Sequence, residues 1–125
     1  MSGQIHRHYK SFRHACRGIS EAVRYHPNFR IHLILSAIAL AGAVYFDFTR
    51  MEIVLVVFTI ILGLSAEMIN TSLESMTDLI TKEWREEARV AKDVSAGMML
   101  LVSVGAAIIA GILFIPRFLN AINVR

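Results

Sequence analysis

One stretch of this 125-residue chain carries polar groups where its surroundings carry almost none: Ala66-Glu67-Met68-Ile69-Asn70-Thr71-Ser72-Leu73-Glu74-Ser75-Met76-Thr77-Asp78. On a helix turning about 100° per residue, Glu67, Glu74 and Asp78 fall within about 40° of one another, with Asn70 and Thr71 beside them. One helix face therefore collects the carboxylates. Glu67 follows fourteen uncharged residues, and an ionisable group that deep is costly unless it faces a protein interior or a wet cavity. A helix simply leaving a membrane would explain Asp78 well, Glu74 less well and Glu67 poorly. Oxygen-only donor sets suit hard cations, and Mg²⁺ typically keeps several waters while taking one or two carboxylates and substrate phosphates. Further on, Arg89-Val90-Ala91-Lys92-Asp93 sets cations at the level of the acids. Lys92 is read as a phosphate partner, against the commoner role of a lysine that snorkels to headgroups beside a span. Asp93 stands at the mouth of a long apolar run, where an acid helps neither insertion nor orientation.

The elements that must hold these residues follow from the apolar runs Ile31–Phe46, Ile53–Ala66 and Val94–Ile115. The last has 22 residues without a charge; at about 1.5 Å per residue it reaches about 33 Å, close to the thickness of a hydrocarbon core. The other two are shorter, but beside a certain span they read as spans too, with the second helix running on past Glu67. Composition agrees: 55% of residues are hydrophobic and 18% charged, against about 45–50% and about 25% in soluble domains. A chain this short cannot hide so much apolar surface behind its own skin. Ahead of the spans, Phe12, Ala15, Cys16, Ile19, Ala22 and Val23 recur at helical spacing opposite Lys10, Arg13, Arg17, Glu21 and Arg24, which predicts an amphipathic helix, lying on an anionic leaflet or else packed as a solvated helix on the bundle. Pro27 ends it or starts the next helix.

Six Lys/Arg precede the first span and Lys82, Arg85, Arg89 and Lys92 lie between the second and third, against Arg50 in the other loop and Arg117 and Arg125 after the last span. The positive-inside bias predicts a cytoplasmic N-terminus and a cytoplasmic 79–92 loop. Trp84 suits an interfacial anchor, and Ser103, Ala107 and Gly111 form a small-residue stripe suited to close helix packing. The lone Cys16 allows no internal disulfide. His6, His8 and His14 read as solvated histidines. No basic stripe free of apolar runs offers itself to nucleic acid, and no P-loop or protein-kinase glycine loop is present.

Glu67-x-x-Asn70-Thr71-x-x-Glu74-x-x-x-Asp78 followed by Ala91-Lys92-Asp93-x-x-Ala96-Gly97 resembles the signature of the prokaryotic diacylglycerol kinase/undecaprenol kinase family. Ser11-Phe12, Ala15, Gly18 and Asn28-Phe29-Arg30-Ile31-His32 are similar to that family's surface helix and its entry into the first span, closest in kind to the undecaprenol kinase branch. The resemblance covers nearly the whole chain. It implies an all-α membrane protein, a homotrimeric bundle with a surface helix and three transmembrane helices per chain. It further implies transfer of the γ-phosphoryl group of MgATP to a lipid alcohol at the cytoplasmic face of the inner membrane. By the same resemblance Glu67 is the general base and Glu74 the Mg²⁺ ligand, while Asn70, Lys92 and Asp93 complete the nucleotide and metal site. Asn28, Arg30 and Asp78 are assigned to substrate contact or to structure.

The chain departs from the family at His26, which stands where a metal-holding glutamate is usual. Neutral imidazole is a poorer Mg²⁺ ligand than carboxylate, so either one carboxylate serves together with phosphate oxygens or His26 contacts the nucleotide. The expected organisation is one domain over 1–125, with a surface helix at 9–25 and membrane helices at about 29–47, 51–80 and 90–116. Three spans supply too little wall to enclose a site, so shared sites between chains are expected. Two other classes compete with the kinase: a small proton- or cation-coupled transporter with Glu67 and Glu74 as relay carboxylates, and a catalytically silent membrane-assembly protein. Oppositely charged clusters meeting at one boundary make little sense for transport through the middle and favour the kinase over the transporter.

Overall fold

The computed structural model describes residues 2–123, and the fold is all-helical, in the order α1 (Ser2–Tyr25), α2 (Pro27–Tyr45), α3 (Arg50–Ile80) and α4 (Glu86–Asn123). Helices α2, α3 and α4 are long and apolar enough to cross a membrane. The middle span does run past Glu67, to Ile80. Helix α4 starts earlier and ends later than the apolar run suggests. Glu86 and Glu87 occupy its first turn, where negative charge complements the helix dipole. Pro116 lies inside it and removes the backbone donor that would reach the Ile112 carbonyl; separately, Arg117 Nη1 donates to the Leu113 carbonyl at 3.1 Å. Arg125, counted with the charges after the last span, lies outside the described residues.

Each connection is fixed by local chemistry. His26 is the N-cap of α2 in extended geometry (φ −111°, ψ 102°), with Pro27 directly after it; proline favours that geometry in the residue before it and suits a first helical turn. Helix α2 ends in a Schellman motif: Phe48 N donates to the Ala43 carbonyl at 3.0 Å and Asp47 N to that of Val44 at 3.2 Å. Asp47 takes the left-handed conformation (φ 49°) that such an ending requires and that aspartate tolerates better than most residues. Two residues later Thr49 opens α3 with a capping box, its hydroxyl accepting from Glu52 N while Glu52 Oε2 accepts from Thr49 N at 2.8 Å. The sequence Thr49-x-x-Glu52 is the pattern for that cap. At the other end of α3, Thr81 is extended and its hydroxyl accepts from Glu83 N at 3.1 Å, turning the chain into α4.

Helix α3 packs chiefly on α4 and then on α2, whereas α1 touches the rest mainly through α2. Positions 56, 63, 70 and 77 recur at seven-residue spacing, two helical turns, and so line one side of α3. Val56, Asn70 and Thr77 there are buried and Gly63 is half-buried. The packed stripe is thus apolar near the α2–α3 turn and polar near the α3–α4 turn.

The apolar end holds the core, made of Ala43, Phe48, Val56 and Leu113. The Phe114 ring lies 4.7 Å from that of Phe48 and 6.4 Å from that of Phe46, measured between centroids. Gly42 lets this ring approach: a Cβ there would stand 2.9 Å from Phe114 Cε1. Arg117 lies over the Phe48 ring, 4.3 Å from its centroid, and donates through Nη2 to both Glu52 carboxylate oxygens at 2.8 Å. This clasp ties the start of α3 to the last turns of α4. Elsewhere Ile34, Leu35, Ile61, Leu101 and Ile112 are exposed, as suits helices solvated by lipid. Ser103 and Ala107 of the small-residue stripe are exposed as well, so the close approach within the chain falls at Gly42 instead.

Candidate functional site

At the polar end, the acidic face of α3 emerges from burial stepwise. Glu67 is 4% exposed and makes no side-chain hydrogen bond or ion pair among the described residues. One turn on, Asn70 is also buried. Its Nδ2 donates to Glu74 Oε1 at 3.0 Å, and its Oδ1 is buried without a partner among the described residues. A buried acceptor left unpaired is uncommon and calls for an explanation. Glu74 and Asp78 are exposed.

Helix α4 brings the cations. Lys92 Nζ donates to Asp78 Oδ1 at 2.6 Å, a bridge between helices spanning fourteen positions of sequence. The backbone of Lys92 is fixed by its neighbour Ser95, which is 2% exposed and donates from Oγ to the Lys92 carbonyl at 3.0 Å. Asp93 accepts from Arg89 Nη1 at 2.5 Å, and Arg89 also pairs with Glu86. Between the α3–α4 turn and the start of α4 lies an open cleft of about 370 Å³, whose walls include Thr77, Asp78, Trp84, Arg85, Arg89 and Lys92.

The structure therefore joins Asn70 to Glu74 and Asp78 to Lys92, and holds Asp93 by Arg89. It does not join Glu67 to any of them by a hydrogen bond. His26 caps α2 without a side-chain hydrogen bond. Asn28 and Arg30 are exposed on the first turns of α2, and no hydrogen bond links them to the acidic face among the described residues. His6, His8 and His14 are exposed on α1, and among the described residues no three His, Cys, Asp or Glu side chains gather as a metal site. Sequence reasoning missed Ser95 and the anchoring of Asp93 by Arg89. The signals were a serine inside an apolar run and an Arg–Asp pair at i, i+4.

Residues 13–114 match the family described as prokaryotic diacylglycerol kinase. A diacylglycerol kinase of Synechocystis sp. is 34% identical over 111 residues, covering 88% of this chain and 63% of that protein. An undecaprenol kinase of Bacillus subtilis is 34% identical over 115 residues, covering 91% of this chain and 93% of its own length. A diacylglycerol kinase of Haemophilus influenzae is 27% identical over 105 residues, covering 83% and 89% respectively. This chain thus spans less than two thirds of the Synechocystis protein and nearly the full length of the Bacillus one. It belongs to the prokaryotic diacylglycerol kinase family, and hence to the lipid kinases.

Proposed function

We infer that this chain transfers the γ-phosphoryl group of MgATP to the hydroxyl of a membrane lipid alcohol, undecaprenol or diacylglycerol, at the cytoplasmic surface of the inner membrane. The observation that carries this reading is the 2.6 Å bridge from Lys92 to Asp78, which sets a phosphate-binding cation against the acidic face of α3. Phosphoryl transfer asks for alignment and charge stabilisation more than covalent chemistry from the protein. Glu67, buried at 4% exposure, takes the proton of the lipid hydroxyl. Lys92 binds triphosphate oxygens, and Asp93, steadied by Arg89, orients the nucleotide together with His26. Asn28 and Arg30 on α2 contact the substrate or support the site.

Two hard oxygens fit Mg²⁺: the Glu74 carboxylate, and Asn70 Oδ1, a buried acceptor with no donor among the described residues. The metal would neutralise phosphate charge there. Nothing requires His26 as a ligand. On this reading the chain is one lipid-kinase domain, with α1 lying as an amphipathic helix on the cytoplasmic leaflet. The exposed Ser103 and Ala107 suit contact between copies in a homotrimer with shared sites. The long alignment with the Bacillus undecaprenol kinase, 93% of that protein, tilts the acceptor toward undecaprenol. A transporter would need a polar path through the span, but beyond Glu67 the packed stripe of α3 continues as Gly63 and Val56.

The test is label transfer from γ-labelled ATP by the purified chain in detergent with Mg²⁺, comparing undecaprenol with diacylglycerol. Loss of a general base typically costs about 10²–10⁴-fold, and Glu67→Gln is expected to fall in that range. Glu74→Gln is expected to raise the Mg²⁺ requirement. Transfer unaffected by both substitutions would refute the assignment.

A further inference from the structure

Within that kinase reading, on which the inference rests, we propose that Asp78 is an internal competitor for Lys92: its carboxylate holds the ammonium that nucleotide phosphate must win, and reclaims it once the γ-phosphoryl group has left. Lys92 Nζ and Asp78 Oδ1 are 2.6 Å apart, with side chains 41% and 64% exposed. A wet ion pair of this kind holds only weakly, by a factor of about two to five, and a polyphosphate offering several anionic oxygens displaces it. The neighbouring cations are similarly engaged, Arg85 by Glu83 and Arg89 by Glu86 and Asp93. Of these pairs, the Lys92–Asp78 bridge alone crosses from one helix to another.

Position decides whether Asp78 helps or opposes binding. Lys92 does not depend on Asp78 for its place, because its backbone sits on α4 beside Ser95, which is buried and hydrogen-bonded to the Lys92 carbonyl. Removing the acid leaves the cation where it was and frees its protons. Asp78 follows Glu74 by one turn on the same face, so once displaced it stays within reach of the ammonium it has lost. This competition for one cation lowers nucleotide affinity. After transfer one phosphate fewer contests the lysine, and the returning carboxylate favours release of the diphosphate.

The experiment is equilibrium binding of radiolabelled ATP and ADP, with Mg²⁺, to the full chain in bilayer discs. Wild type is compared with Asp78→Asn, Asp78→Glu, Lys92→Met and the Asp78→Asn/Lys92→Met double variant. Asp78→Asn is expected to tighten both nucleotides about two- to fivefold. Asp78→Glu, which keeps the charge, retains wild-type affinity, and the double variant binds as weakly as Lys92→Met. Weaker ATP binding by Asp78→Asn overturns the proposal and leaves the kinase reading standing. So does tightening that persists with Lys92 removed, which would mark general charge rather than competition for one ammonium. Saturable ATP binding absent from the wild type as well sinks both.

Discussion

Asn70 divides its amide between two tasks, donating to Glu74 through Nδ2 at 3.0 Å and leaving Oδ1 buried and without a partner among the described residues. For stability the two terms oppose each other. A hydrogen bond to a charged group contributes about 1.5–3 kcal/mol, and an unsatisfied buried acceptor costs about 1–3 kcal/mol. Asn70→Ala deletes both, so its unfolding free energy in detergent is expected within about 1 kcal/mol of wild type. If Asn70 Oδ1 is the second oxygen of the proposed Mg²⁺ site, the variant's phosphotransfer is expected to fall by about 10–100-fold. A destabilised variant with its remaining activity intact would instead make Asn70 a packing residue. At this scale the sequence was informative about depth. Fourteen uncharged residues before Glu67 implied burial, and Glu67 is indeed 4% exposed. It could not show that Asn70 would be left with an idle oxygen, because that depends on what α4 and α2 place against it.

The helices themselves were legible because lipid-facing spans need only be apolar and long, and α2, α3 and α4 are both. What ties them together was not. Glu52 and Arg117 lie 65 positions apart, and no spacing rule connects the start of one span to the end of another. The close approach of α2 to α4 was equally hidden. The visible stripe Ser103–Ala107–Gly111 pointed to one face of α4, whereas the contact uses Gly42 on α2 with Phe114 pressed against it. Substitution there tests this packing with a definite sign. Gly42→Ala gains about 1 kcal/mol of helix propensity, but its new methyl would stand 2.9 Å from a ring that packs against Phe46 and Phe48. Overpacking of such a site costs about 1–3 kcal/mol. A net loss of stability is therefore expected on thermal or detergent unfolding, larger for Gly42→Val, and a stabilised Gly42→Ala would show that the ring yields freely.

Seen as a whole, the molecule is chemically polarised along its helices. The α2–α3 end is sealed by the Phe48, Leu113 and Phe114 cluster and the Glu52–Arg117 clasp, whereas the α3–α4 end carries Asn70, Glu74, Asp78 and Lys92. A lipid kinase needs this asymmetry, because its nucleotide comes from water on one side of the membrane only and its acceptor arrives laterally at headgroup depth. On the proposed orientation, which the distribution of Lys and Arg supports, the polar end is the cytoplasmic one. That orientation predicts a labelling pattern. With Cys16, the sole cysteine, replaced by serine, Glu83→Cys places a thiol in the α3–α4 turn and Asn123→Cys one at the far end of α4, both at exposed positions. A membrane-impermeant maleimide is expected to reach position 83 in inside-out vesicles and not in right-side-out ones, and position 123 in the reverse pair. Labelling of both from one side would leave α4 unable to span the bilayer, and a fully inverted pattern would put Lys92 and Glu74 on the side where there is no ATP.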